Sequence, residues 1–329
     1  MSIKFFIPSY TNEHLKRASY RFRATIPLKG MRDIDGIISD VNEATKDDIV
    51  VLAKKSSPKN VRYLKSKGIK CVYDICDNKW RKQIAPNWVE KVIQPHNEIT
   101  NNVNAIITTC ESMRSLILEN SNRDSIIIND PVEAVKVEPN LNFDGKIKIF
   151  NYGSSKHFNR VDWQTFCSKL DELVIDYEIN CMLDRVKKFK DRYLHLDKLH
   201  MHEYNFNKQY TFMRECDIVF LPIIIRSPDE AIDIRSKSPN RIIDAIQSGK
   251  PVITNAGIES YNPFMPFAFF TTQNYENYAR TLLNLINMKK EFIYNKIVEG
   301  QKYIEQNHSP EVIGKQWIEL ENKVWKEYY

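Results

Sequence analysis

The sequence predicts an α/β chain of two doubly wound domains, each a parallel sheet with helices on both faces. Three observations carry that expectation. Short apolar runs rich in β-branched residues alternate with longer segments of helical period, in two successive series. Glycine is scarce, 9 in 329 residues, which argues against sheets built on many tight hairpins and against a glycine-rich phosphate loop. A chain of 329 residues suits two domains of roughly 100–200 residues each.

In the first series, residues 3–7, 36–39, 49–52, 71–75, 105–108 and 125–128 read as strands. Residues 58–67, 79–94 and 112–120 read as the intervening helices, with Pro58 at the first helical position and Ser112 as an N-cap. The polar stretch 134–145, with Pro139, reads as the boundary. Strands follow at 147–152, 177–182, 193–196, 218–222, 251–254 and 268–271, and helices at 161–173, 205–214, 238–248 and 274–287. After Asn287 the chain continues as long helices. Ser309-Pro310-Glu311 is a helix start, and Ile313, Trp317, Leu320 and Val324 fall on one buried stripe.

Charged residues at 27% and hydrophobic residues at 42% exclude a disordered or fibrous chain. The net charge is +6, and it is concentrated: Lys4, Lys16, Arg17, Arg21, Arg23, Lys29 and Arg32 face Glu13 alone before residue 33. The first apolar run stops at Pro8, too short for a signal segment, and no run of about 18 apolar residues occurs. Cys71, Cys76, Cys110, Cys167, Cys181 and Cys216 form no CxxC pair, and the expected setting is a reducing cytoplasm. His195, His200 and His202 lie close in sequence without a convincing fourth ligand, so no metal site is expected.

The most informative stretch is 216–255, CDIVFLPIIIRSPDEAIDIRSKSPNRIIDAIQSGKPVITN. A buried strand is followed by a polar loop with Lys237, a helix that Ser238 would cap with Pro239 at its first position, and another apolar strand. A helix N-terminus presents unsatisfied N–H groups suited to a phosphate, and Lys237 and Arg241 add charge beside it. Asp244 lies one turn after Asn240, where a carboxylate can accept from a ribose hydroxyl. An ordinary βαβ unit with a capped helix and surface charges explains the same residues.

CDIVFLP, Lys237, Asn240-Arg241, Asp244 and SGKPV at 248–252 resemble the donor-binding segment of GT-B glycosyltransferases, in particular the large retaining group of bacterial and phage enzymes (group 1, family 4-like). Asp244 stands where that family usually has Glu, and the family's earlier glutamate falls at Ser236. TTCESMRSLI, IIINDPVE, KIKIFNYGSSKHF and NHSPEVIGKQWIELENKV resemble further segments in the same order, so the resemblance spans nearly the whole chain. It implies an acceptor-side domain over 1–138, a donor-binding domain over 139–308 and a closing helix over 309–329 that packs back on the first. It also implies transfer of a sugar from a nucleotide-diphosphate sugar to an acceptor hydroxyl, with retention of configuration and without metal or cofactor. The donor-binding residues so implied are Gly153, Ser154, Lys156, Lys237, Asn240, Arg241 and Asp244.

In the first half, Ser19, Arg21 and Arg23 would open the first helix and face the cleft of such a fold, or else form a solvated basic face. Asp74 and Asp77 lie at the end of a buried strand, where active-site groups collect. Either could position or deprotonate an acceptor hydroxyl, and Asp77 could instead cap a helix beginning near Asn78. Asp77, Asp74 and Arg21 are therefore the catalytic candidates. The basic N-terminal stretch points to an anionic or glycan acceptor, a lipid-linked saccharide at a membrane surface included. DNA is the less favoured acceptor, because no basic–aromatic interleaving accompanies the charge. A nucleotide-sugar epimerase and a degenerate GT-B binding protein are the other functions weighed.

Overall fold

The computed structural model describes residues 1–8, 17–53, 56–80 and 87–326. They form two compact units. One comprises Met1–Glu133, Asp229–Ser238 and Gln306–Tyr329, and the other Ala134–Pro228 and Pro239–Glu305.

In the first unit, β1 (Ser2–Phe6), β2 (Gly36–Ile38), β3 (Asp48–Ala53), β4 (Lys70–Ile75), β5 (Ala105–Thr108) and β6 (Ile126–Ile127) form one sheet. Its order is β2-β1-β3-β4-β5-β6 and every pair is parallel. Side chains alternate between two buried faces, as a parallel sheet requires. Val50, Leu52, Cys71 and Tyr73 pack on helices Pro58–Ser66, Gln94–Asn102 and Glu111–Ser121 through Val61, Leu64, Ile99 and Met113. Ile49, Val51, Val72 and Phe5 pack on the opposite face against Ile313, Trp317, Leu320 and Val324 of the closing helix, Pro310–Lys326. The Ser309 hydroxyl accepts from the Val312 N–H at 3.3 Å, so the Ser-Pro start works as the sequence suggests. The Trp317 indole meets the Phe5 ring edge-on at 5.0 Å between centroids. This helix lies backbone-to-backbone on the turn Pro27–Gly30. A Cβ on Gly314 would stand 2.4 Å from the Gly30 carbonyl carbon, and one on Gly30 would stand 2.1 Å from the Pro310 oxygen.

In the second unit, β7 (Ile147–Gly153), β8 (Tyr177–Leu183), β9 (Leu199–Glu203), β10 (Ile218–Leu221), β11 (Val252–Asn255) and β12 (Phe269–Thr271) form a second all-parallel sheet, in order β12-β11-β10-β7-β8-β9. Trp163, Phe166 and Leu170 of helix Trp163–Glu172 and Tyr278 and Leu282 of helix Tyr275–Ile286 cover one face. Among the described residues no helix is long and apolar enough to cross a membrane.

Five local expectations change. Residues 193–196 form no strand; the edge strand is β9, whose polar alternation through His200 and His202 hides it from an apolar-run reading. The His202 Nε2 lies 2.8 Å from the Asn180 side-chain oxygen across that strand pair. Among the described residues no group of three His, Cys, Asp or Glu could hold a metal. The polar loop after β10 contains a helix, Pro228–Arg235. Ser112 does not cap its helix; Cys110 is the N-cap, and the Ser112 hydroxyl donates to the Arg235 carbonyl at 2.7 Å. Helix Asn240–Gln247 likewise starts after Pro239, and the Ser238 hydroxyl donates to Asp130. Of the expected helix 79–94, residues 81–86 lie outside the described set, and the helix runs on through Pro95 to Asn102. A wide π turn, Val89–Ile93, precedes Pro95 and accommodates the missing N–H donor.

Candidate functional site

Two constellations stand at the carboxyl ends of strands. In the second unit, β7 lies between β8 and β10, so the sheet reverses its winding between β7 and β10. Open α/β sheets take ligands at such a switch point. Gly153 ends β7 with φ of 146°, a value that side chains rarely tolerate. A Cβ there would stand 3.0 Å from the Arg241 Nη1. The absent side chain thus lets the Arg241 guanidinium lie over the strand end, where Nη1 donates to the Tyr152 carbonyl at 3.1 Å. The Tyr152 hydroxyl in turn donates to the Arg241 carbonyl at 2.9 Å, locking this turn of helix Asn240–Gln247 to β7. Ser154 and Lys156 are exposed at the start of the short helix Ser155–Phe158 that follows β7, and the Ser155 N–H donates to the Asp184 carboxylate at 2.6 Å. Backbone donors at this strand end therefore already attract an anion of the chain itself. Asp244 is 3% exposed; it accepts from the Ala134 N–H at 3.0 Å and from the Tyr210 hydroxyl at 3.3 Å. Asn240 is half-buried at the start of its helix.

In the first unit, Arg21 and Arg23 sit on a π-helical turn, Arg21–Thr25, and neither belongs to a solvated face. The Arg21 Nε donates to Glu133 at 2.6 Å and its Nη2 to the other Glu133 oxygen at 3.0 Å, both side chains being 8% exposed. Arg23 is 2% exposed. Its Nε and Nη2 donate to the two Asp74 oxygens at 2.9 and 3.0 Å, and its Nη1 donates to Asp130 at 3.0 Å and to the Ile128 carbonyl at 2.7 Å. Burial alone would lower the Arg23 pKa, and Asp74 and Asp130 together raise it well above its ordinary value. Burial pushes Asp74 up, against the pull of Arg23. The Arg23 guanidinium thus shares charge-assisted hydrogen bonds with both carboxylates.

Asp74 is 2% exposed, which leaves Asp77 as the accessible carboxylate at the end of β4. The Lys237 Nζ donates to the Asp77 Oδ1 at 2.7 Å, with side-chain exposures of 41% and 31%. The structure therefore joins two residues that the sequence assigns to different roles. No helix starts at Asn78: its side-chain oxygen accepts from the Trp80 N–H at 3.0 Å in an Asx turn. The segment carrying Lys237 is fixed within this unit by several further bonds. The Asn78 Nδ2 donates to Asp233 at 3.2 Å, the Cys110 thiol to the Ser236 carbonyl at 3.8 Å, and Ser238 bonds Asp130.

Three of the seven N-terminal basic residues are neutralised in place. Arg21 pairs with Glu133, Arg23 with Asp74 and Asp130, and Arg32 with Asp35 and Glu321. Lys16 and Glu13 lie outside the described residues. Sequence reasoning did not single out Asp130, Glu133 or Asp184. The available signal was a carboxylate just past an apolar strand, for Asp130 three residues after Ile127 and for Asp184 directly after Leu183.

No protein-family model and no curated protein sequence matches the chain. Solved structures do. Anabaena HepE in complex with UDP is similar over 98% of this chain and 100% of its own, with a TM-score of 0.72 at 12% identity. A glycosyltransferase from Rickettsia africae is similar over 99% and 98%, with a TM-score of 0.65 at 13% identity. TarM of S. aureus is similar over 84% of this chain, with a TM-score of 0.62 at 15% identity; the match spans about half of that protein, 55%. At such identities the likeness is one of fold. The chain has the GT-B fold of these proteins, two Rossmann-like α/β domains.

Proposed function

We propose that this protein is a glycosyltransferase that moves a sugar from a nucleotide-diphosphate sugar to the hydroxyl of a glycan or lipid-linked saccharide. The observation that carries the reading is the switch point of the second unit, where Gly153 admits the Arg241 guanidinium beside the exposed Ser154 and Lys156 side chains and the N-terminus of helix Asn240–Gln247. Complexes of the similar HepE structure hold UDP and UDP-glucose, so a uridine-diphosphate sugar is the first donor to test.

In the reaction, the bond between the anomeric carbon and the β-phosphate oxygen breaks, and the electron pair stays on the phosphate. Arg241, Lys156 and the helix N–H groups stabilise the charge that develops there. Asn240 and Ser154 orient the diphosphate. A ribose hydroxyl binds Asp244, whose carboxylate also accepts from the Ala134 N–H and the Tyr210 hydroxyl. Lys237 pairs with Asp77, and its ammonium has donors left for a phosphate oxygen. Asp77 orients the attacking hydroxyl and takes its proton as the new glycosidic bond forms. Retention of configuration is part of the proposal, and it requires the hydroxyl to attack the anomeric carbon from the face that the diphosphate leaves. Arg21 and Asp74 act through packing rather than on substrate.

Hydrolysis of UDP-glucose by the purified chain tests this reading. Asp77→Asn lowers turnover at least tenfold, within the 10²–10⁴-fold range of acid–base groups, and leaves the affinity for UDP unchanged. Lys237→Ala lowers both turnover and donor affinity. Undiminished turnover in both variants removes Asp77 and Lys237 from the reaction.

A further inference from the structure

Beside the Asp77–Lys237 pair, the first unit has a groove of about 260 Å³ that the reaction as described does not use. Its apolar wall is Trp80, Leu116 and Ile232. Its polar groups are Asn78, Asn120, Glu119, Asp229, Asp233 and Arg235, so among the described lining residues three carboxylates face one guanidinium. The Trp80 indole is held in place: its Nε1 donates to the Asn97 side chain at 2.7 Å, and its ring meets His96 edge-on at 4.3 Å between centroids. Asp233 is oriented by the Asn78 amide at 3.2 Å, and Ile232 is 38% exposed.

A fixed indole beside a rim of carboxylates and amides matches one ligand chemistry well. A sugar ring has an apolar C–H surface that lies on an aromatic face and hydroxyls that donate to carboxylates and exchange bonds with amides. At about 260 Å³ the groove falls below the roughly 300–1,000 Å³ of pockets that take whole small molecules. It suits a single ring of a longer chain. Its negative balance disfavours a phosphorylated, sulfated or uronate ring. We propose that this groove is a subsite for an uncharged sugar unit of the acceptor, seated on Trp80 and hydrogen-bonded by Asp229 and Asp233. The proposal rests on the glycosyltransferase reading and narrows it: the acceptor presents a neutral saccharide here. Within the N-terminal basic cluster, Arg21, Arg23 and Arg32 are already paired with carboxylates.

A glycan array with neutral oligosaccharides beside uronate- and sialic-acid-bearing ones tests it, using the full chain and three variants. The unmodified chain retains neutral glycans. Trp80→Ala loses at least nine-tenths of that signal, Trp80→Phe keeps part of it, and Ile232→Arg, which fills the groove from an exposed position, abolishes it. Binding of UDP, followed in parallel by calorimetry, stays unchanged in all three. The proposal is overturned if no glycan binds, if acidic glycans bind more strongly than neutral ones, or if Trp80→Ala and Ile232→Arg bind like the parent. A parent chain that binds neutral glycans but no nucleotide or nucleotide sugar instead overturns the glycosyltransferase reading and leaves the subsite standing.

Discussion

Arg23→Met destabilises the first unit by about 3–5 kcal/mol, the cost of removing one partner from a buried ion pair. Methionine keeps much of the side-chain length but leaves Asp74 and Asp130 without the guanidinium that both now share. Isolated buried carboxylates favour the neutral form. Burial already pushes Asp74 up, and without Arg23 nothing opposes it. A carboxyl whose folded pKa lies above its unfolded value of about 3.9 stabilises the fold below that value and loses the contribution as pH rises through the folded pKa. The variant's deficit should therefore be larger at pH 7 than at pH 4. Adding Asp74→Asn to Arg23→Met should recover part of the loss. Urea unfolding at both pH values decides the matter. A variant within about 0.5 kcal/mol of the parent at pH 7 would mean that the cluster does not hold the unit together.

Gly314→Ala provides a second sharp expectation, because two effects pull in opposite directions. Alanine in place of a mid-helix glycine ordinarily stabilises by about 1 kcal/mol. Here the new Cβ would stand 2.4 Å from the backbone of Gly30, which has no flexible end to move aside. Overpacking of this kind costs about 1–3 kcal/mol and sometimes more. The closing helix must therefore lift, loosening Trp317 from Phe5 and from the Arg23 guanidinium that lies 5.7 Å over its ring. The expected result is a net loss, a melting temperature lower by several degrees and a red-shifted Trp fluorescence. An unchanged or higher melting temperature would show that the helix does not dock on Gly30.

Most of the fold was legible because both faces of each sheet are buried. Runs such as Ile49–Val50–Val51–Leu52 are apolar at every position, and the sequence shows them without any alignment. β9 was missed because it is an edge strand whose alternate positions are histidines. Helix Pro228–Arg235 was missed because half of its residues are charged and it carries little apolar period. In the candidate site, Gly153, Arg241, Asp77 and Lys237 could be singled out from their places after strands and before a helix. Their partners could not. Asp130 meets Arg23 across 107 positions, and Lys237 meets Asp77 across 160. Such pairings are set by tertiary packing, which local spacing does not encode. They also change the meaning of the charge. Arg21, Arg23 and Arg32 look like part of a patch awaiting an anion until the carboxylates that pair with them are seen.

Calorimetric titration of UDP-glucose into the parent chain and the Arg241→Ala variant tests the central claim most directly. The parent should bind, and the variant should bind at least tenfold more weakly. A charge-assisted hydrogen bond contributes about 1.5–3 kcal/mol, and each 1.4 kcal/mol is a factor of ten. Equal affinity in the two proteins, or no heat from UDP-glucose or any other nucleotide sugar with the parent, would contradict a donor site at the β7–β10 switch point.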